Sequence, residues 1–219
     1  MGIGAGWYEH EWRAYGYGFP SAGERLGMLE EGIQIFEQAW SDGIARLDGK
    51  HYQVDGAICR PLPLQEGGIP IWVAGAGERK TLRIAAAHAQ YTNFDPTPEI
   101  FRHKSAVLAA HCQELGRDFD TITRSSNFTV ICADTEREVQ DRVAWLIDHY
   151  RAFMGEEHID RYRESYSRAA LVGTPEQLIE RLKDAESIGV AYAITYFADD
   201  AYDGANRELF EAKVIPELQ

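Results

Sequence analysis

Gly75, Ala76 and Gly77 are followed by Glu78 and then by two cations, Arg79 and Lys80. A glycine turn of this kind leaves backbone N–H groups free and lets a ligand approach without meeting a Cβ. Where a helix begins just after it, those N–H groups and the helix dipole favour an anion, most often phosphate. The competing reading is a tight strand-to-helix turn that needs glycine for geometry alone. A Walker loop is excluded, because Arg79 stands before Lys80 where that motif requires glycine. A second glycine run, Gly2, Gly4 and Gly6, spells G-x-G-x-G and not the dinucleotide pattern G-x-G-x-x-G. The aromatics after it (Trp7, Tyr8, Trp12, Tyr15, Tyr17 and Phe19) form either a ligand wall or a self-packed surface loop.

Other chemistry is thinly represented. The histidines form no HExxH motif, and His103 and His111 read as packed or solvated residues on one helix. There is no G-x-S-x-G elbow. Cys59, Cys112 and Cys132 are an odd number, far apart and without CxxC, which argues against a disulfide framework and a zinc ribbon. Asp199 and Asp200 follow a strand-like segment, but acids are common in loops and a structural role is favoured over a catalytic one.

The elements that must position these residues read as follows. Ile69–Ala74 is a buried strand, and the glycine turn feeds a helix beginning near Glu78. Ser21 and Glu24 form a capping box ahead of a helix whose apolar stripe is Leu26, Leu29, Ile33, Phe36 and Trp40. Glu30 and Glu31 lie off that stripe and read as a solvated face. Ile44–Gly68 is an excursion with a candidate hairpin over Ala45–Val54. Further strands are expected at Gly2–Ala5, Ala89–Phe94, Ser126–Ala133 and Ala191–Phe197. Helices are expected after Thr97, Thr135 and Thr174, in a charged stretch from Glu156 to Arg168, and through Leu209, Phe210 and Val214. Strand and helix alternate about five times, the pattern of parallel strands with helical crossovers. A (β/α)₈ barrel typically needs about 250 residues and eight such units.

At 219 residues the chain is long enough for a full core and reads as one domain over 1–219. The formal charge of −13 argues against nucleic acid and anionic membranes as partners, so an anionic ligand needs a local basic pocket. The absence of a long apolar segment or a leader pattern leads to the expectation of a cytoplasmic protein.

Four blocks carry a family resemblance: GIGAGWYEHEWRAYG, FPSAGERLGMLEEGIQIFEQAW, IPIWVAGAGERKTLRIAAAHAQYTNF and LVGTPEQLIERLKDAESIGVAY. In this order they resemble the luciferase-like monooxygenase superfamily, most of all its oxidoreductases that use the deazaflavin coenzyme F420. The resemblance implies an incomplete TIM barrel, holding the fourth to eighth strands with helices outside, and a small organic substrate. It implies that the coenzyme phosphate lies at Gly75, Ala76 and Gly77, assisted by Arg79 and Lys80. It further implies that the deazaflavin ring approaches Gly4, Ala5, Gly6 and Trp7. Some relatives that oxidise sugar phosphates carry an acid where Trp7 stands, which argues against a sugar-phosphate substrate. The family's first three strands have no counterpart. The expectation is therefore open sheet edges, a homo-oligomer and impaired hydride transfer. The alternatives are a non-catalytic half-barrel module and an FMN-dependent monooxygenase.

Overall fold

The computed structural model describes residues 1–168 and 171–218, and the chain forms two compact units. The first holds Met1–Asn93 and Lys104–Thr123. Its elements are β1 (Gly2–Ile3), α1 (Glu9–Ala14), α2 (Ala22–Ser41), β2 (Ile44–Asp48), β3 (Gln53–Ile58), β4 (Trp72–Val73), α3 (Thr81–His88), β5 (Tyr91–Phe94) and the body of α4 (Pro98–Leu115). β4 is the middle strand, parallel to β1 through Gly2↔Trp72 and to β5 through Trp72↔Tyr91. The Trp72 and Tyr91 rings stack across that last pair at 4.8 Å. Helical crossovers make such parallel neighbours possible.

The strands at this edge are shorter than the sequence suggests. Pro70 has no N–H for a ladder, and β4 ends where Gly75 takes φ +109°. The hairpin β2–β3 is antiparallel, as expected, with a register slip between Ala45 and Arg46. α1 is an addition: it lies within the stretch expected to be a loop and buries none of its residues, so no apolar stripe could announce it.

α2 begins at the capping box, with Glu24 N–H donating to Ser21 Oγ at 3.3 Å and Ser21 N–H to Glu24 Oε2 at 2.9 Å. Leu29 and Ile33 are buried, and Phe36 stacks on Trp40 at 5.4 Å. One acid departs from the solvated-face reading. Glu31 accepts from the backbone N–H groups of Lys50, His51 and Tyr52 at 2.8–2.9 Å, tying the tip of the hairpin to α2. Desolvation raises its pKa, but the His51, Tyr52 and Lys50 N–H bonds together outweigh it, leaving the carboxyl below the ordinary 4.5. A depressed folded-state pKa contributes stability that is full above the ordinary value and lost as pH falls through the folded one. Acidification is therefore expected to lower the hydrogen-exchange protection factors of the Lys50–Tyr52 amides, measured against their intrinsic rates at each pH, in that window. In Glu31→Gln those amides should exchange faster at neutral pH and lose the acid dependence; an unchanged pH profile would refute the assignment.

α3 packs Leu82, Ile84, Ala85 and Ala86 inward. Its C-terminal carbonyls are closed by Arg117, which donates to Ala86 O at 3.0 Å and Ala89 O at 2.5 Å. Charge-assisted bonds of this kind contribute about 1.5–3 kcal/mol. Arg117→Met is expected to lower stability by about that amount in urea unfolding, whereas a shift below about 0.5 kcal/mol would mark the clamp as dispensable.

The second unit holds Phe94–His103 and Arg124–Gln219. Its elements are β6 (Thr123–Cys132), α5 (Glu136–Arg151), α6 (Glu156–Arg168), β7 (Leu171–Gly173), α7 (Pro175–Ser187), β8 (Tyr192–Tyr196) and α8 (Ala205–Lys213). Within this unit β6 pairs in parallel with β8 along Ser125–Thr129 and with β7 along Val130–Cys132. Ile131, Ala133, Val139 and Leu146 form a core beneath α5, whose capping box of Thr135 and Glu138 is present as expected. β7 is a strand beyond those expected. Thus the fold is α/β with mostly parallel strands and outer helices, and the hairpin is antiparallel.

Candidate functional site

The turn after β4 is the most anion-receptive feature of the first unit. Among the described residues, the backbone N–H groups of Gly75, Ala76 and Gly77 donate to no protein acceptor. Arg79 and Lys80 are exposed and make no ion pair among those residues. The helix does not begin near Glu78 but at Thr81, with Lys80 as N-cap, because Leu82 N–H reaches back to Gly77 O at 3.0 Å and rounds the turn first. A Cβ built on Gly77 would sit 2.8 Å from Thr81 Oγ1. The turn is therefore closed on one side by a hydroxyl that sequence reasoning did not single out.

Two residues of α4 fix this turn from behind. Lys104 Nζ donates to Glu78 Oε1 at 2.6 Å, and His111 Nε2 donates to Glu78 O at 2.7 Å. The Lys80 ammonium lies 3.8 Å from the Cβ position of Gly23, in the first turn of α2. Two helix N-termini and two cations thus share one neighbourhood, an arrangement that attracts phosphate or carboxylate.

The turn after β1 lies alongside. A Cβ on Gly4 would come within 3.3 Å of both the Cβ and the carbonyl oxygen of Ala74. Gly6 has φ +72°, and its Cβ position lies 2.6 Å from Trp12 Nε1. Both glycines are closely approached within the chain, Gly4 by Ala74 and Gly6 by Trp12. Trp12 also packs edge-on to Tyr17 and Phe19, with Arg25 over the Phe19 ring at 3.9 Å. Trp7 stands apart from this packing, 84% exposed beside Tyr8. The aromatic stretch is thus self-packed in part and open in part.

In the second unit the loop after β8 is organised by buried polar groups. Asp199 is 5% exposed and Asn206 fully buried. Asn206 Nδ2 donates to Asp199 Oδ1 at 2.8 Å and to Val130 O at 2.9 Å, while its Oδ1 accepts from Cys132 N–H at 2.7 Å. Arg142 Nη1 donates to Asp199 Oδ2 at 3.1 Å and to Asp203 Oδ2 at 3.2 Å. The Ala205 N–H, followed by Arg142, holds the Asp203 carboxyl below the usual range. Burial, reinforced by Asp134 and Glu176, pushes the Cys132 thiol up to about 11, so it is protonated at neutral pH and is no nucleophile. Asp199 is thus held within a buried network by Asn206 and Arg142.

The family model described as luciferase-like monooxygenase matches residues 1–192. The chain belongs to the luciferase-like monooxygenase family. It is 25% identical to an FMNH(2)-dependent dimethylsulfone monooxygenase of Pseudomonas fluorescens (strain Pf0-1), over 99% of this chain and 64% of that protein. It is 34% identical to an F420-dependent glucose-6-phosphate dehydrogenase of Mycobacterium leprae (strain Br4923), over 35% of this chain and 23% of that one. The chain therefore spans less than two thirds of the length of these curated relatives. Two solved structures share the fold. An F420-dependent secondary alcohol dehydrogenase in complex with an F420-acetone adduct superposes with TM-score 0.75 at 16% identity, over all of this chain and 69% of that one. Monooxygenase RslO1 from Streptomyces bottropensis gives 0.76 at 17%, over all of this chain and 68% of that one. For this luciferase-like chain, the structure brings the β1 and β4 turns together. It adds Thr81, Lys104 and His111 to the residues named from sequence.

Proposed function

We propose that the chain is a coenzyme-dependent oxidoreductase that moves a hydride between F420 and a small organic substrate. The observation that carries this reading is the turn at Gly75–Gly77. Among the described residues, three N–H groups without protein acceptors and two cations without ion pairs suit a phosphate ester. The bound coenzyme supplies the hydride donor or acceptor. The chain supplies the anchor: the Gly75, Ala76 and Gly77 N–H groups bind the phosphate, Arg79 and Lys80 neutralise it, and Lys104 and His111 hold the turn in place. Trp7 and Tyr8, on the adjoining turn, offer exposed aromatic surface to a planar group.

A second reading keeps the site and replaces F420 by FMN. It is favoured by the extent of the match, since the FMNH(2)-dependent relative aligns along 99% of this chain and the F420-dependent one along 35%.

Titration with F420, with FMN and with orthophosphate distinguishes these readings. One coenzyme should bind, phosphate should compete with it, and added NaCl should weaken the complex. Replacing Arg79 and Lys80 together by Gln is expected to lower affinity roughly 100-fold or more, two charge-assisted contacts at about 1.5 kcal/mol each being lost. Failure of both coenzymes to bind, or binding that phosphate does not affect, would overturn the proposal.

A further inference from the structure

The second unit contains a cavity of about 840 Å³ that the reading above does not use. This volume lies within the range of small-molecule sites. Ala133, Ala205 and Leu209 contribute apolar lining, and Trp145 and Tyr202 form an aromatic corner. Their rings meet edge to face at 5.6 Å, and His149 stacks on the Trp145 indole at 5.2 Å, which fixes its plane. Both remain in contact with water, at 43% and 63% exposure. His149 covers one face of the indole, and the ring surface that Trp145 and Tyr202 leave exposed at the wall of the concavity is available to a cation.

The charge around this corner has the matching sign. Glu208 and Asp141 line the cavity, Asp141 4.0 Å from the exposed Arg137, and the cavity's own arginine, Arg142, is already shared between Asp199 and Asp203. A metal ion does not account for the acids. Among the described residues, no three His, Cys, Asp or Glu side chains converge closely enough to hold one. Dispersed carboxylates beside aromatic faces suit a cation whose charge is spread over a larger, partly apolar body.

We propose that this cavity binds an organic cation, a protonated or quaternary amine carried on a small apolar group. The ammonium sits against Trp145 and Tyr202 within the field of Asp141 and Glu208, and the apolar group lies towards Ala205 and Leu209. An anionic coenzyme is repelled here, so the ligand is a different molecule from the one assigned to the Gly75–Gly77 turn.

Calorimetric titration of the full chain with phenyltrimethylammonium, and separately with benzenesulfonate, tests this. The cation should bind at a single site and weaken with NaCl, and the sulfonate should not bind. Trp145→Ala and Glu208→Gln should each weaken the cation about tenfold, whereas Trp145→Phe, which keeps a π-face, should stay within about threefold. Circular dichroism reports folding; should Trp145→Ala unfold, Tyr202→Ala, at an exposed position, replaces it with the same expectation. Equal binding of the sulfonate, displacement by MgCl₂ beyond that of NaCl at matched ionic strength, or aromatic-to-alanine variants with unchanged affinity would each overturn the proposal.

Discussion

Asn206→Leu is expected to destabilise the protein by about 3–5 kcal/mol, because it orphans three buried groups that cost roughly 1–3 kcal/mol each, with partial relaxation. The amide is fully buried and of a size leucine can replace, so the effect isolates the polar contacts from the packing. What is lost is specific. Cys132 N–H loses its acceptor, Val130 O loses a donor, and Asp199 keeps Arg142 but loses the bond to its other oxygen. Desolvated groups of this kind are more costly unsatisfied than they are stabilising when paired. The measurement is urea unfolding of parent and variant, with the slope checked for constancy. A loss under about 1 kcal/mol would show that water replaces the amide and that the network is not a fold determinant.

Gly77→Val is expected to weaken coenzyme or phosphate binding by roughly 100-fold or more, equivalent to losing two charge-assisted contacts at about 1.5 kcal/mol each. The cause is geometric. The first added carbon already falls 2.8 Å from Thr81 Oγ1, so the turn must shift and its N–H groups lose their common direction. A paired variant separates this from a general loss of the site. In Gly77→Ala with Thr81→Ala the obstructing oxygen is gone and the next contact, Thr81 Cβ, is at an ordinary 3.6 Å. That pair should recover most of the affinity that Gly77→Ala alone loses. If Gly77→Val binds as tightly as the parent, the anion is not held at this turn.

The local grammar of the chain was open to reading from sequence. The capping boxes at Ser21 and Thr135, the Leu29–Ile33 stripe and the parallel strands all follow from neighbours a few positions apart. β7 has no signature in the sequence, because three residues, Leu171–Gly173, give no periodicity to count. Strand-like composition extends beyond the paired residues of both β1 and β4, and around β4 the ladder is bounded by Pro70, which has no N–H, and by Gly75 at φ +109°. The site was legible only as glycines and cations. Thr81 looked like an ordinary helix residue, and Glu31 like a surface acid, since their partners are fixed by the turn and by the hairpin. The bonds from Asn206 reach Val130 and Cys132 across 76 and 74 positions, and no local pattern encodes such pairings.

The Lys104–Glu78 pair has an electrostatic consequence for its neighbours. Glu78 stands one residue before Arg79, and an uncommitted carboxylate there would cancel one of the two cations and repel an incoming anion. Lys104 occupies that carboxylate from the helix side at 2.6 Å, its own side chain largely sheltered from solvent. The potential over the turn is thereby set by Arg79 and Lys80, although the chain as a whole carries −13. α4 thus screens the turn as well as supporting it, and a positive island persists on a strongly negative protein.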